Sequence, residues 1–418
     1  MKVWLVNIFD AMAGHGGQCG RMVSIAHAFA DADCAVTWWT SDWDHGRKCR
    51  REASEFSGHP WQTQVLPSLS YQKNISLRRF YSHARFARDW KRKVRAELAS
   101  GSLAVPDLVV VNLPPPSLAA AVAEMKAELG FTLICDVRDA WPENFSQILP
   151  FSPEWNRRVG GCLFRPLAAA ARRAYAAADG LSAVSQDYLD VVSSYRAHEG
   201  RVFYIGCPPE RLLELPIAMD TRCAEGTLKL VYIGSLSASY DLATLIEALR
   251  EEVLRSLPIE LHFAGYGALA GQLQAWAQDA GLTEQVHFHG MLDWGALRAL
   301  LNQCHLAINA VQPESRIAMP NKVGDYFAAA LPVLHTSAQG ELAQLLSTHD
   351  MGASYQAGQS ASLAHVILGY AKDRPRLLRQ SVNARAFAEA QLDRREIYPK
   401  FVKWALERGE ARSLKGAV

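Results

Sequence analysis

The stretch "AMPNKVGDYFAAALPVL" (318–334) gathers Asn321, Lys322 and Asp325 at the head of an otherwise apolar run. Pro320 suits the first turn of a helix, Asn321 suits a cap, and Pro332 closes the segment. Asp325 follows Asn321 by four residues, so the two share a helix face one turn apart. Side chains lean toward a helix N-terminus, which points the Asp325 carboxylate back at that end. Open amides and Lys322 suit a phosphate, and the carboxylate suits a diol such as a ribose. A capped helix with a solvated acid and base accounts for the same residues equally well, so other segments must decide.

Five further stretches carry chemistry. In "ICDVRDAWPENF" (134–145), Asp136, Arg138 and Asp139 cluster beside Trp141 at the carboxyl end of an expected strand. Ligands of open parallel sheets bind there. The residues read either as an Arg–Asp structural pair or as a carboxylate facing a substrate hydroxyl. The turn "AMAGHGGQCGRM" (11–22), with Gly16 and Gly17, lets backbone approach a ligand closely but lacks the dinucleotide spacing G-x-G-x-x-G. In "VYIGSLSASYDLATLIEAL" (231–249), Gly234 and Ser235 offer amides and a hydroxyl to a phosphate. "HFAGYG" (262–267), with Gly265, and "HFHGML" (287–292), with Met291, end strands in turns that present backbone to a flat base edge.

The elements that position these residues follow from periodicity. Short apolar runs at 2–9, 35–41, 107–113, 132–137, 180–185 and 202–206 read as one series of strands. Runs at 228–234, 259–265, 286–290, 305–311 and 332–336 read as a second. Helical patterns such as 241–254 and 269–280 lie between them. Near-continuous apolar strands separated by helices indicate parallel sheets covered on both faces. The expected class is therefore α/β, with two tandem doubly wound, Rossmann-like domains. Residues 207–227, with three prolines and no strand pattern, read as the linker. Residues 45–62, basic and then loop-like, are expected to be mobile or to form a lid.

Composition bounds the partners. Across 418 residues, 49% are hydrophobic, 21% are charged and the net charge is +2, which argues against a bulk polyanion such as nucleic acid. Eight scattered cysteines make no C-x-x-C pair, which favours a reducing cytosol over a disulfide or zinc framework. Histidines such as His289 and His305 read as strand-end residues, and the sequence shows no metal-ligand spacing. The first residues hold too short an apolar run for a signal peptide. No stretch approaches the roughly 18 apolar residues of a spanning helix. Residues 71–95, "YQKNISLRRFYSHARFARDWKRKVR", are rich in Lys and Arg, including Lys73, Arg78, Arg79, Arg85 and Arg88, with Leu77, Phe80, Ala84 and Ala87 at helical spacing. Such a helix lies on an anionic membrane, contacts the acceptor, or presents a solvated face.

Taken in order, "DVRDAWPE", "YIGSLSASYDLATLIEAL", "HFAGYG", "VHFHGML" and "MPNKVGDYFAAALPVL" resemble a bacterial glycosyltransferase. The resemblance is to the retaining, family 4-like group with two facing Rossmann domains (the B-type fold), in the branch that builds surface polysaccharides. It covers nearly the whole chain, more loosely at 42–100. It implies an acceptor-binding domain at 1–207, a nucleotide-sugar-binding domain at 208–394, and a last helix at 395–418 crossing back to the first domain. It implies a UDP-linked donor, a lipid-linked or polysaccharide acceptor, no metal and no cofactor. The implied place of work is the inner face of the cytoplasmic membrane.

Carried over residue by residue, the resemblance gives Asp325 the ribose contact, where glutamate is usual. Met319, Pro320, Asn321 and Lys322 face the sugar and diphosphate. Gly16 and Gly17 close over the donor phosphates, and Arg138 and Asp139 stand near the reacting centre. Two departures matter. Ile317 stands where the family has its first glutamate, with Glu314 nearby, and "GSLSASYD" lacks the usual Arg and Lys, which throws weight onto Lys322. The "Y-x-K-N-x-S" start of 71–76 resembles segments of enzymes that act on lipid-linked sugars. The departures keep two rivals open: a sugar-nucleotide epimerase of the same fold, and an inactive glycan-binding subunit.

Overall fold

A computed structural model of the chain describes residues 1–10, 12, 20–74, 76–139, 141–142, 153–193, 195, 200–213, 219–224, 226–312 and 319–416. The chain divides into two compact units, Met1–Tyr204 with Arg395–Val418, and Ile205–Arg394.

The main sheet of the first unit is built from β1 (Lys2–Val6), β2 (Ala35–Ser41), β3 (Gln62–Leu66), β4 (Leu108–Leu113), β5 (Thr132–Val137), β6 (Gly180–Ala183) and β7 (Gly200–Val202). They form one sheet in the order β3-β2-β1-β4-β5-β6-β7, every neighbouring pair parallel. Alternation along β1 feeds two cores. Val3 and Leu5 pack with helix α1 (Arg21–Asp31) through Met22, Ile25 and Phe29, and with Phe401 and Trp404 of the last helix, Arg394–Gly416. Trp4 and Val6 pack on the other face with Trp39, and with Phe86, Trp90 and Val94 of helix α2 (Leu77–Ala99). Each large apolar side chain buried this way contributes about 1.5–3 kcal/mol.

Three expectations change here. The run at 202–206 does not extend as a strand, because the Phe203 and Tyr204 carbonyls accept from Arg21 Nη1 at 2.7 and 2.8 Å. The strand at 62–66 escapes the sequence because Gln-Thr-Gln carries no apolar signal; it is a sheet edge, paired only with β2. Residues 45–62 are fastened rather than lid-like. Trp43–Asp44 pairs antiparallel with Cys49–Arg50, Arg47 bridges Asp44 (2.9 Å) and Glu55 (2.7 Å), and Arg51 and Glu55 are buried.

The second unit holds β8 (Leu228–Ile233), β9 (Ile259–Ala264), β10 (Val286–Gly290), β11 (Leu306–Asn309), β12 (Val333–His335) and β13 (Gly352–Ser354). Their order is β10-β9-β8-β11-β12-β13, again parallel throughout. Leu230, Tyr232, Leu261, Phe263, Leu306 and Ile308 form the centre of its core. The expected linker carries two short helices, Pro209–Leu213 and Met219–Cys223. Both send an arginine to helix α3 (Asn321–Ala328), as described below.

Candidate functional site

Helix α3 begins differently from the sequence expectation. Pro320 is the N-cap, Asn321 is the first helical residue, and no side chain caps the end. The first-turn amides therefore keep their capacity for a ligand acceptor. The other end is closed by cations, as the helix dipole favours. Arg222 donates to the Ala329 (2.9 Å) and Ala330 (2.5 Å) carbonyls, and Arg385 donates to Ala328 (2.6 Å). Tyr326 fixes the helix on the sheet: its hydroxyl accepts from Ile233 N at 2.8 Å and donates to Ile308 O at 3.2 Å.

Lys322 precedes Tyr326 by one turn on the same face and is thereby carried onto the strand ends. It is only 9% exposed, and its Nζ lies 4.0 Å from the ring centres of both Tyr232 and Tyr240. Its Nζ has no hydrogen-bond partner. Burial without a counter-charge pulls this ammonium down to a pKa of about 7. A Cβ built on Gly234 would lie 3.9 Å from that Nζ, so the glycine turn and the lysine border one space. Gly234 and Ser235 are exposed, and the Ser235 carbonyl is held by the Tyr232 hydroxyl at 2.8 Å. Tyr232 thus tightens the turn and walls the cation.

Asp325 sits at the same helix mouth, but its Oδ1 pairs with Arg211, whose guanidinium stacks 4.3 Å from the Trp294 ring centre. Burial raises the Asp325 carboxyl, and Arg211 opposes the rise. Arg211 comes from the proline-rich stretch read as a linker, where nothing in the sequence marks it as a partner. Gly265 is corrected. A Cβ there would lie 1.8 Å from Gly234 O, and Gly265 N donates to Gly290 O at 2.8 Å. Its amide is taken up in packing one strand-end turn on the next and is closed to a base. Met291 and Tyr266 stand beside these turns and are 69% and 66% exposed. Met319 is half-buried. Gly16, Gly17, Glu314 and Ile317 lie outside the described residues.

In the first unit the three charged residues of "DVRDAW" part company. Asp136 is fully buried and binds Arg21 (2.9 and 3.1 Å), Asn112 (2.8 Å) and Ser182 (2.7 Å). Arg138 pairs with Asp10 rather than with Asp139. Burial pushes the Asp10 carboxyl up, but Arg138 and the Met22 amide outweigh it and hold the group below its usual value. Asn7 positions Asp10: its Oδ1 accepts from the Asp10 amide at 2.8 Å, and its Nδ2 donates to Asn112 at 2.7 Å. Asp10 was legible only as an acid ending the first strand. Asp139 Oδ2 accepts from the Trp141 indole at 2.8 Å, which fixes the carboxylate's orientation.

The basic segment divides as well. Arg79 is buried, so it leaves the membrane-facing set. Arg78 donates to Ser70 O, Arg85 and Arg88 flank Asp89, and Lys73 is exposed. The buried face of α2 is Arg79, Ser82, His83, Phe86, Ala87, Trp90 and Val94; of the predicted line Leu77, Phe80, Ala84 and Ala87, only Ala87 belongs to it. Leu77 and Tyr81 point outward, 84% and 60% exposed, on the same helix as these arginines.

One arrangement had no sequence signal. Parallel register sets His262 beside His287, and with Glu260 their ligand atoms lie within 4.8 Å of one another. His289 Nε2 is 3.1 Å from His262 Nδ1. These side chains have the chemistry to hold a divalent transition metal, although Lys229 already occupies Glu260 at 3.0 Å.

Residues 227–373 match the sequence profile of the group 1 glycosyl transferases. No curated protein matches the chain. Solved structures share its architecture. Sucrose-phosphate synthase from Thermosynechococcus elongatus is 15% identical, with 100% of both chains covered and a TM-score of 0.67. Anabaena HepE in complex with UDP and glucose is 18% identical, covering 97% of this chain and 100% of that one, with a TM-score of 0.61. WaaG, a glycosyltransferase involved in lipopolysaccharide biosynthesis, is 18% identical, covering 96% and 99%, with a TM-score of 0.63. Residues 227–373 thus carry a group 1 glycosyl transferase domain, within a chain that has the two-domain B-type fold of these structures.

Proposed function

We propose that the chain moves a sugar from a nucleotide diphosphate, UDP by preference, to a hydroxyl of a lipid-linked glycan, with retention at the anomeric carbon. The observation that carries the reading is Lys322: a buried ammonium without a hydrogen-bond partner, facing an exposed glycine turn beside an uncapped helix start. A diphosphate supplies the charge and the acceptor atoms this corner lacks, and stabilising a departing diphosphate is the main electrostatic task of such a transfer. That HepE is known with UDP bound supports the choice of nucleotide. In this reading the second Asp325 oxygen takes the ribose, and Met291 and Tyr266 flank the base. Asp139 orients or deprotonates the acceptor hydroxyl, the Trp141 indole keeping it aimed. The exposed Leu77-Tyr81 line with Arg78, Arg85 and Arg88 rests on the anionic membrane that carries the acceptor.

The test is incubation with a panel of labelled UDP-, GDP- and ADP-sugars. Binding is read by calorimetry, turnover by release of nucleotide diphosphate, and product anomer by NMR. The reading expects UDP-sugar binding that Lys322→Met weakens, with slow hydrolysis or transfer. Epimer formation, or binding without any turnover on lipid-linked acceptors, overturns it.

A further inference from the structure

The motif "YQKN" (71–74) is not absorbed by the donor corner, and the structure gives it a task. Asn74 holds two cations together: Lys48 Nζ donates to its Oδ1 at 2.7 Å, and Arg79 donates to its carbonyl. Arg79 is 5% exposed, and its guanidinium lies 4.5 Å from the Trp141 ring centre, 5.5 Å from Phe9 and 5.8 Å from Tyr71. Its Nε has no hydrogen-bond partner, and it makes no ion pair with a described carboxylate. Two histidines complete the cluster. His45 Nδ1 sits 3.2 Å from Lys48 Nζ and 3.0 Å from the Tyr71 hydroxyl. His83 is buried against Phe9, Tyr71 and Trp141 with its Nε2 unpartnered.

The nearby carboxylates are committed elsewhere. Asp44 is bound by Arg47 and Asp10 by Arg138; Asp139 Oδ2 accepts from the Trp141 indole, and its charge and the Tyr71 hydroxyl only partly offset the burial of Arg79, which stays below its ordinary value. The positive groups therefore work against one another. His45 is driven to about 4 by burial, then by Arg79 and Lys48, and Lys48 is lowered by burial and Arg79. Lys48 itself stands at a left-handed φ of 56°. Buried charges are normally paired, and two cations held by neutral groups and rings, with no described carboxylate in an ion pair, are completed by an anion.

We infer that Lys48 and Arg79, walled by Phe9, Tyr71, His83 and Trp141, form a subsite for an oxyanion of the acceptor, a phosphate or a carboxylate. The inference rests on the proposed reading that the first unit takes the acceptor. The guanidinium and ammonium supply convergent charge-assisted donors, and the aromatic walls suit the apolar face of a sugar or the start of a lipid chain. Two sources offer the same chemistry, the diphosphate of a lipid carrier and the carboxylate of an acidic sugar.

The experiment is calorimetric titration of the whole chain and of three variants, Lys48→Gln, Arg79→Met and Lys322→Met, with pyrophosphate, glucuronate and UDP. Lys322→Met removes the donor corner from the count. In that background one of the two anions should still bind, and adding Lys48→Gln or Arg79→Met should weaken it about 10- to 100-fold, the range for losing one charge-assisted contact. Each single variant at 48 or 79 should leave UDP affinity within a few-fold. Pyrophosphate retention assigns a lipid-carrier diphosphate, and glucuronate retention an acidic sugar. Lys48→Gln changes a half-exposed residue and reports on the subsite even where Arg79→Met perturbs folding. The inference is overturned if neither anion binds the Lys322→Met protein, or if binding ignores Lys48 and Arg79. Loss of UDP binding in the wild type, with the anion result intact, removes the donor reading instead.

Discussion

Replacing Lys322 by methionine should make the free protein more stable and a poorer binder of nucleotide. An ordinary lysine titrates at 10.5, and burial brings Lys322 to about 7. At about 1.4 kcal/mol per pKa unit, keeping the ammonium charged inside the fold costs roughly 5 kcal/mol. The two tyrosine rings at 4.0 Å return roughly 1–2 kcal/mol each. The net burden is therefore roughly 1–3 kcal/mol, which methionine, with a similar unbranched stem, removes. For a unit of this size each kcal/mol shifts the melting midpoint by about 2–4 °C.

The pH dependence gives an independent check on the same residue. Here the folded pKa lies below the unfolded one, so between about 7 and 10.5 the unfolded chain binds more protons. Wild-type stability should rise with pH across that window, and Lys322→Met should lack this component. UDP should do the reverse: its affinity should fall as pH rises above about 7, because the diphosphate needs the lysine protonated. Denaturant melts at about pH 6.5 and about pH 9.5, with and without UDP, separate these effects. A variant that is less stable at the lower pH, or that binds UDP as tightly as wild type, refutes the reasoning.

Three other changes follow from particular contacts. Gly265→Ala forces a Cβ to within 1.8 Å of Gly234 O at a φ of 149°, so it should destabilise the second unit by more than about 2 kcal/mol and weaken UDP, read by melting and calorimetry. Asp139→Asn should lower turnover on the order of 100-fold while donor affinity stays within a few-fold; normal turnover would reduce Asp139 to a hydrogen-bond partner of Trp141. Reversing Arg78, Arg85 and Arg88 to Glu should weaken flotation with anionic vesicles by about 1 kcal/mol per charge removed, with UDP affinity nearly unchanged; equal flotation would leave the helix face merely solvated.

The fold was readable because its signal is redundant. β4, "LVVVNL", is buried at every position, and only a strand covered on both faces has that composition. The corner around Lys322 was readable in part. Lys322 and Gly234 announce themselves by type and by their places at a helix start and a strand end. Their environment did not, since the tyrosine cage comes from Tyr232 and Tyr240, spaced eight apart across a turn. The partners of charged residues were the least legible. Arg138 and Asp139 are adjacent, so they invite pairing on paper. Their side chains leave the strand end in different directions, one to Asp10 and the other to Trp141. Arg79 looked like one more surface charge in a basic run until the helix phase turned it inward.

A common principle separates the spent cations of this molecule from the available ones. Arg21, Arg138 and Arg211 are each neutralised by a carboxylate, Asp136, Asp10 and Asp325, and these pairs fix strand ends and helix mouths. Lys322 and Arg79 are held by aromatic rings instead. A ring face attracts a cation and orders it without cancelling its charge, and it offers no lone pair to compete with an incoming oxyanion. A carboxylate in the same place would bind the cation more strongly and would have to be displaced by each phosphate. The cost appears as depressed basicity at Lys322 and as unmatched nitrogens at both residues. The return is electrostatic preorganisation: donors already desolvated, already aimed, and short of one anion. On this argument Lys322 and Arg79, two ring-held cations that each keep an unmatched nitrogen, are the ones we propose to meet substrate.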